Sequence, residues 1–341
     1  MDHVSAELSP DCRPAPLTSL LADVVPVGQH FIRSHFGTPS LSRDDYVLEV
    51  GGLVRRPLRW TLSDLRKLSH ISTHVTLECA GHRRLELDPP APGVPWGLGA
   101  ISHARWAGGQ LADLLDIVRP LPTATHMVLI GRDEGAVEGR AANEPFARAI
   151  PLRDPVIRQI VLAWEMNGRG LELEHGAPVR AVVPGWFAVS SVKWLARIEL
   201  IAGPFAGYFQ AVDYRVRENG DVEPGRELSV LPIHSLIVPP GPASSASGLV
   251  PITGLAWGGR GGVQSVEVQV ADQPWQAARI DPGPGLHAPT RFSISLALAA
   301  GTHVLRSRAT DRSGNQQPPH TPWNERGYCV SSVRAFEVTV T

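Results

Sequence analysis

The chain has 341 residues, and Lys+Arg 32 against Asp+Glu 33 leaves a formal net charge of −1. A near-neutral chain has no global field for nucleic acid or an anionic membrane, so any anion site must be local and built from focused arginines. The three cysteines, Cys12, Cys79 and Cys329, form no C-x-x-C pair, which excludes a disulfide framework, a cysteine-cluster metal site and a C-x-x-C-H haem attachment.

The length fits two domains, and Gly 33 with Pro 31 suits a turn-rich architecture over a helical bundle. The opening MDHVSAELSPDCRPAP has neither the basic nor the apolar region of an export signal. No apolar run of about 18 residues offers a membrane span. The expected location is cytoplasmic, or periplasmic if an export signal has been removed.

In chain order, YVLEVGGLV (46–54) predicts a strand and turn, and TLSDLRKL (61–68) a short helix capped by Thr61. HVTLEC (74–79) predicts a strand, GGQLADLLDIV (108–118) a helix and HMVLIG (126–131) a strand. IVLAWEMNG (160–168), APVRAVVP (177–184) and VKWLARIELIAG (192–203) add further strands. The composition of PIHSLIVPPGPASSASGLVP (232–251) predicts a linker or an exposed crossing between domains. Beyond it VQSVEVQV, WQAARI, RFSISLAL, HVLRSRAT and RAFEVTV are short strands at regular spacing, the pattern of an immunoglobulin-type sandwich. The fold class is therefore α+β, with a mixed domain over 1–232 and an all-β domain over 233–341.

Candidate chemistry begins at TLECAGHRRL (76–85), where Cys79 is followed at once by His82, Arg83 and Arg84. A free cysteine is usually inert core, so other segments must converge on it to give it a role. His70 and His74 stand four apart, but a strand and not a helix is predicted there and no third ligand is evident. GGRGG (258–262) lacks the following Lys-Ser/Thr of a phosphate loop and is expected to form a hairpin. No G-x-S-x-G elbow is present. HFIRSHFGTP (30–39), EHGAPVR (174–180) and SSVKW (190–194) offer Arg33, His35, His175, Arg180 and Lys193. Together these are donors for a multiply charged anion, since Arg binds oxyanions bidentately and Lys acts as a point charge.

The ordered series CAGHRR, PWGLGAISHARWAGGQLADLL, WEMNG, HGAPVR, VVPG, VKWL and WNERG resembles the sulfite oxidase family of molybdenum enzymes, in its haem-free prokaryotic form. The resemblance implies one molybdopterin per chain, with molybdenum held by the thiolate of Cys79. It implies that Arg33, Arg84 and Arg326 hold the substrate anion, that Trp96 lines the pocket, and that Tyr214 places its hydroxyl near the reacting centre. Pterin contacts would come from Phe31, Ile32, Arg33, Ser34 and His35, from Asp133, and from His175, Arg180, Ser191, Val192 and Lys193. The implied activity is oxygen-atom transfer that converts sulfite to sulfate, with electrons leaving to a separate acceptor and no haem in the chain. The implied assembly is a homodimer paired through the β domain, without nucleic-acid or membrane partners.

The chain departs from the family pattern at His82, where Asn is usual, at Trp164, where Tyr is frequent, and in the tail YCVSSVRAF after WNERG. These departures bear on the substrate and leave nitrate or sulfoxide reduction on the same fold as alternatives. A cofactor-free anion-binding protein is the alternative from another class.

Overall fold

A computed structural model describes residues 12–218, 225–238 and 248–340. The chain is mostly β. One five-stranded sheet runs in the order Leu58–Thr61, Val47–Gly52, Leu195–Ile201, His126–Gly135, Glu144–Pro151. Its only parallel pair is Val47–Gly52 beside Leu195–Ile201. A second sheet runs Arg169–Gly170, Val161–Met166, Ile101–Gln110, His70–Glu78, with Arg180–Val182 also paired to Val161–Met166. From residue 234 onward, two four-stranded antiparallel sheets share one apolar core of Ile237, Val250, Ile252, Val266, Val268 and Leu305 with their neighbours.

Local signals account for several elements. Thr61 Oγ1 accepts the Asp64 N–H at 3.2 Å while Asp64 accepts the Thr61 N–H at 3.1 Å, a capping box that opens the helix Leu62–Leu65. The helix Leu111–Val118 buries Leu111, Leu114, Leu115 and Val118, one face at helical spacing, and ends where Arg119 turns left-handed at φ 55°. In Val263–Val270 the alternate residues Val266, Val268 and Val270 are buried.

The α+β expectation is corrected on helix content, because α-helix among the described residues is confined to those two segments of four and eight residues. Residues 108–110 belong to the strand Ile101–Gln110 and not to the helix. A Cβ at Gly108 would lie 2.0 Å from the Leu162 carbonyl oxygen, so glycine there lets two backbones meet in a sheet. The expected linker over 232–251 is also corrected. Its ends are the strands His234–Val238 and Gly248–Trp257, paired antiparallel with His234 opposite Trp257, and its middle, 239–247, lies outside the described residues. Prolines around SLIV hid a strand whose five residues are all buried.

GGRGG forms no hairpin. It carries the chain from Gly248–Trp257 in one sheet to Val263–Val270 in the other, and a Cβ at Gly259 would sit 2.3 Å from Val230 Cγ1. His70 and His74 lie on one extended strand, where four residues span about 13 Å, too far for one metal. Among the described residues no helix is long and apolar enough to cross a membrane.

Candidate active site

The strand His70–Glu78 stops one residue before Cys79, and the chain turns sharply. Cys79 N–H donates to Ala100 O at 2.9 Å, and His82 N–H donates back to Cys79 O at 2.9 Å. Gly81 is small because the turn closes over a guanidinium: a Cβ there would lie 2.9 Å from Arg84 Nη2. The two arginines then separate. Arg83 pairs with Glu86 (Nη2–Oε2 2.6 Å), while Arg84 faces a cavity that Cys79 also lines.

Cys79 lies between two adjoining cavities, and Arg33, His35 and Tyr214 line both with it. The first, about 680 Å³, is walled by Phe31, Ile32, Arg33, Ser34 and His35. Asp133, His175, Arg180, Ser191 and Lys193 close its other sides. Lys193 Nζ donates to Ser34 Oγ at 2.6 Å and to Glu174 O at 3.1 Å. Arg180 is fixed by bonds to His175 O (2.9 Å) and Ser191 O (2.8 Å), with its guanidinium 4.9 Å over the Trp106 ring. Burial lowers the Arg180 guanidinium to about 9 and, with Arg180 beside it, lowers His175 to about 4. Asp133 Oδ1 and His30 Nε2 are buried without a hydrogen-bond partner. Burial pushes the Asp133 carboxyl up to about 6. A cavity with unmet polar atoms at Asp133 and His30 and cations at Arg180 and Lys193 fits a group that carries ring N–H donors and a phosphate.

Val192 does not join this wall. Its side chain is fully buried in the apolar core, although its neighbours Ser191 and Lys193 line the cavity. The cavity also takes in His30 and Glu174, at the heads of HFIRSHFGTP and EHGAPVR, and Phe146 and Val189, which carry no motif in the sequence.

The second cavity, about 710 Å³, gathers Arg33, Arg84, Arg326, Trp96 and Tyr214. Arg84 Nε donates to Arg326 O (3.0 Å) and Nη1 to Val94 O (2.8 Å), joining segments 242 residues apart. Arg33 Nη2 lies 3.1 Å from His35 Nδ1, and His35 Nε2 lies 2.6 Å from Tyr214 Oη. A guanidinium can only donate, so Nδ1 is the acceptor and Nε2–H donates to Tyr214, leaving the tyrosine hydroxyl hydrogen for another partner in the cavity. Burial, with Arg33 and Lys193 nearby, keeps His35 neutral by holding it well below the usual imidazole range. Among the lining residues not singled out from sequence are Asp213 and Tyr328. Their only signal was position, beside Tyr214 and directly after WNERG.

In the protein alone, the surroundings of Cys79 do not favour the thiolate. Burial pushes the Cys79 thiol up, and Arg33, the Gly81 amide and Arg84 pull it down without cancelling that rise. The surrounding cations thus do not ionise Cys79 by themselves, and a bound metal would have to displace the proton.

Glu78 ties this strand end to the C-terminal sheets: its Oε2 accepts from Trp257 Nε1 at 2.7 Å. His234 Nε2 stands 3.5 Å from Glu78 Oε1, a distance that could mark an ion pair. Both groups are fully buried, however, and burial raises Glu78 to about 8 while driving His234 well below its ordinary value, so the pair is neutral. The raised carboxyl favours the fold most below pH 4.5, its ordinary value, and this contribution declines as pH climbs toward 8. Glu78→Gln keeps an acceptor for Trp257. It should match the wild type near pH 4.5 and exceed it by roughly 2–4 kcal/mol at pH 8, read as urea midpoints. Equal stability of the two proteins at pH 8 would refute a neutral Glu78.

Comparison with known proteins now bears on this geometry. Residues 35–209 match the family model described as the oxidoreductase molybdopterin binding domain. A sulfite oxidase of Gallus gallus is 34% identical over 343 residues, covering 92% of this chain and 72% of that one. The chain belongs to the sulfite oxidase family. A mitochondrial sulfite oxidase of Homo sapiens is 36% identical across 91% of this chain, which spans only 61% of that protein's length. The crystal structure of the sulfane dehydrogenase SoxCD from Paracoccus pantotrophus superposes with a TM-score of 0.84 at 27% identity, covering 99% of this chain and 87% of that chain. Sulfite oxidase family members are molybdoenzyme oxidoreductases, and this chain is one. The matched span contains Cys79, Trp96, Asp133, His175, Arg180 and Lys193 but not Arg33, Tyr214 or Arg326, which reach the site through the fold.

Proposed function

We propose that this enzyme oxidises sulfite to sulfate and passes the two electrons to a separate acceptor. The observation that carries this reading is the convergence of three guanidinium groups, Arg33, Arg84 and Arg326, with Tyr214 and the Cys79 thiol on one cavity. Cys79 Sγ would hold molybdenum. Asp133, His175, Arg180, Ser191 and Lys193, with the segment Phe31–His35, would hold the pterin and its phosphate. When bound, that group supplies oxygen-atom transfer and two-electron redox chemistry. The chain's own part is to bind and orient the anion. Arg33, Arg84 and Arg326 neutralise it, Trp96 closes one wall, and the Tyr214 hydroxyl, held by His35, offers a fixed donor where charge builds up. Overall, sulfite and water give sulfate, two protons and two electrons.

The domain division at 232/233, an immunoglobulin-type assignment for the C-terminal sheets and a homodimer belong to the same proposal. Two facing four-stranded sheets support the second, and Arg326 would make the C-terminal domain part of the pocket. Light scattering should give about twice the chain mass; a monomer at micromolar concentration would remove the dimer from the proposal.

The activity is tested at Arg326, a pocket cation that lies outside the matched span. Losing one charged hydrogen bond should lower kcat/KM for sulfite roughly ten- to hundredfold in Arg326→Gln, with molybdenum content unchanged. Normal sulfite oxidation by that variant, or a wild type that reduces nitrate far faster than it oxidises sulfite, would overturn the reading.

A further inference from the structure

Tyr328 is a pocket residue to which the reading above assigns nothing. Only 6% of it is exposed, yet its ring and its hydroxyl are both engaged by groups of the pocket. One face stacks on the Tyr214 ring, with centroids 5.1 Å apart and planes at 9°. The Arg84 guanidinium carbon stands 5.2 Å from the ring centroid. The hydroxyl donates to Asp213 Oδ1 at 3.2 Å, and Arg326 Nη1 lies 3.6 Å from the same oxygen.

The turn that carries Tyr328 is rigid. Asn324, 1% exposed, accepts the Tyr328 N–H and donates to the Tyr328 carbonyl, both at 2.9 Å, so Arg326 and Tyr328 are presented from one closed loop. Gly327 bends that loop at φ 59°, and a Cβ there would lie 2.6 Å from Arg84 Cγ. An aromatic that served only as filler would need neither a guanidinium over its face nor a carboxylate at its hydroxyl.

We propose that Tyr328 is a positioning residue that governs how far Arg84 and Arg326 are available to the oxyanion. It rests on the reading of this cavity as the anion pocket. The ring holds the Arg84 guanidinium by cation–π contact. The hydroxyl satisfies part of Asp213, which would otherwise turn its full acceptor capacity on Arg326 and compete with the substrate for that cation. Two opposite effects follow. Removing the hydroxyl leaves Asp213 free to hold Arg326 more tightly, so anion affinity falls. Neutralising Asp213 releases Arg326, so affinity rises, and the Tyr328 hydroxyl then has no effect.

The experiment uses the holoenzyme with Tyr328→Phe, Asp213→Asn and the double variant. It reads KM and kcat for sulfite, and separately sulfate binding by calorimetry, which needs no turnover. Tyr328→Phe should raise KM and the sulfate Kd about fivefold, the scale of one hydrogen bond, with kcat within about twofold. Asp213→Asn should lower the sulfate Kd, and the double variant should match Asp213→Asn. Tyr328→Leu, which also removes the stack on Arg84, should lose more than Tyr328→Phe and lose it in kcat as well. A sulfate Kd unchanged in Tyr328→Phe, or raised equally in both backgrounds, overturns the inference, even where melting temperature shifts. A wild type that binds neither sulfate nor sulfite would instead overturn the pocket reading itself, and this inference with it.

Discussion

Cys79→Ser should give a folded chain that has lost turnover. The thiol is 7% exposed and sits at the meeting point of the two cavities, so a hydroxyl fits the space. What changes is the ligand: an alkoxide is a poor substitute for a soft thiolate toward molybdenum. Changes in residues behind a metal's ligands already cost 10–100-fold, and loss of the ligand proposed at Cys79 should cost at least about a thousandfold. Molybdenum content, measured by mass spectrometry, should fall with activity while the circular dichroism spectrum stays that of the wild type. Cys12, buried at the N-terminal strand, and Cys329, partly buried, are the controls and should tolerate the same change with activity intact. Wild-type metal content and turnover in Cys79→Ser would remove the residue from the site.

The other large effect is expected from one methyl group. Gly93 adopts φ +112°, and a Cβ there would lie 2.4 Å from Arg84 Nη1 and 2.9 Å from its Cζ. A flexible arginine could retreat, but this one is bonded to Arg326 O and Val94 O and lies over Tyr328. Gly93→Ala should therefore displace the guanidinium and lower kcat/KM for sulfite by about 10–100-fold, the same scale of loss expected of Arg326→Gln. The strained backbone adds a stability cost of about 1–3 kcal/mol. Metal content should not change, because the displaced group faces the anion cavity. Unaltered kcat/KM in Gly93→Ala would mean that Arg84 moves freely and does not define the pocket.

Much of the site was legible in the primary structure because its motifs are local turns. CAGHRR must have small residues where Gly81 meets Arg84, and WNERG must have Asn324 to close its loop. Such requirements leave recognisable tetrapeptides. Asp213 and Tyr328 left none, since their contacts are to side chains far away in the chain. Val192 sits inside a motif between two residues of the cavity wall, yet its side chain is buried in the core.

The Thr61 cap, the buried face of Leu111–Val118 and the alternation of Val263–Val270 follow from interactions within a few residues, so sequence suffices for them. The end of that helix pattern at Leu111 does not follow from sequence. It depends on Gly108 meeting the Leu162 backbone, a contact between distant strands. The charge states are likewise a product of folding. CAGHRR reads as a cationic setting for a thiolate, yet enclosure raises the Cys79 thiol and the Glu78 carboxyl, because the desolvation of a buried charge outweighs neighbouring cations. Arg33, Arg84 and Arg326 could be named singly from their motifs, but their meeting in one cavity with Tyr328 and Asp213 required the sheets to pack, since chain contacts this remote have no local pattern to announce them.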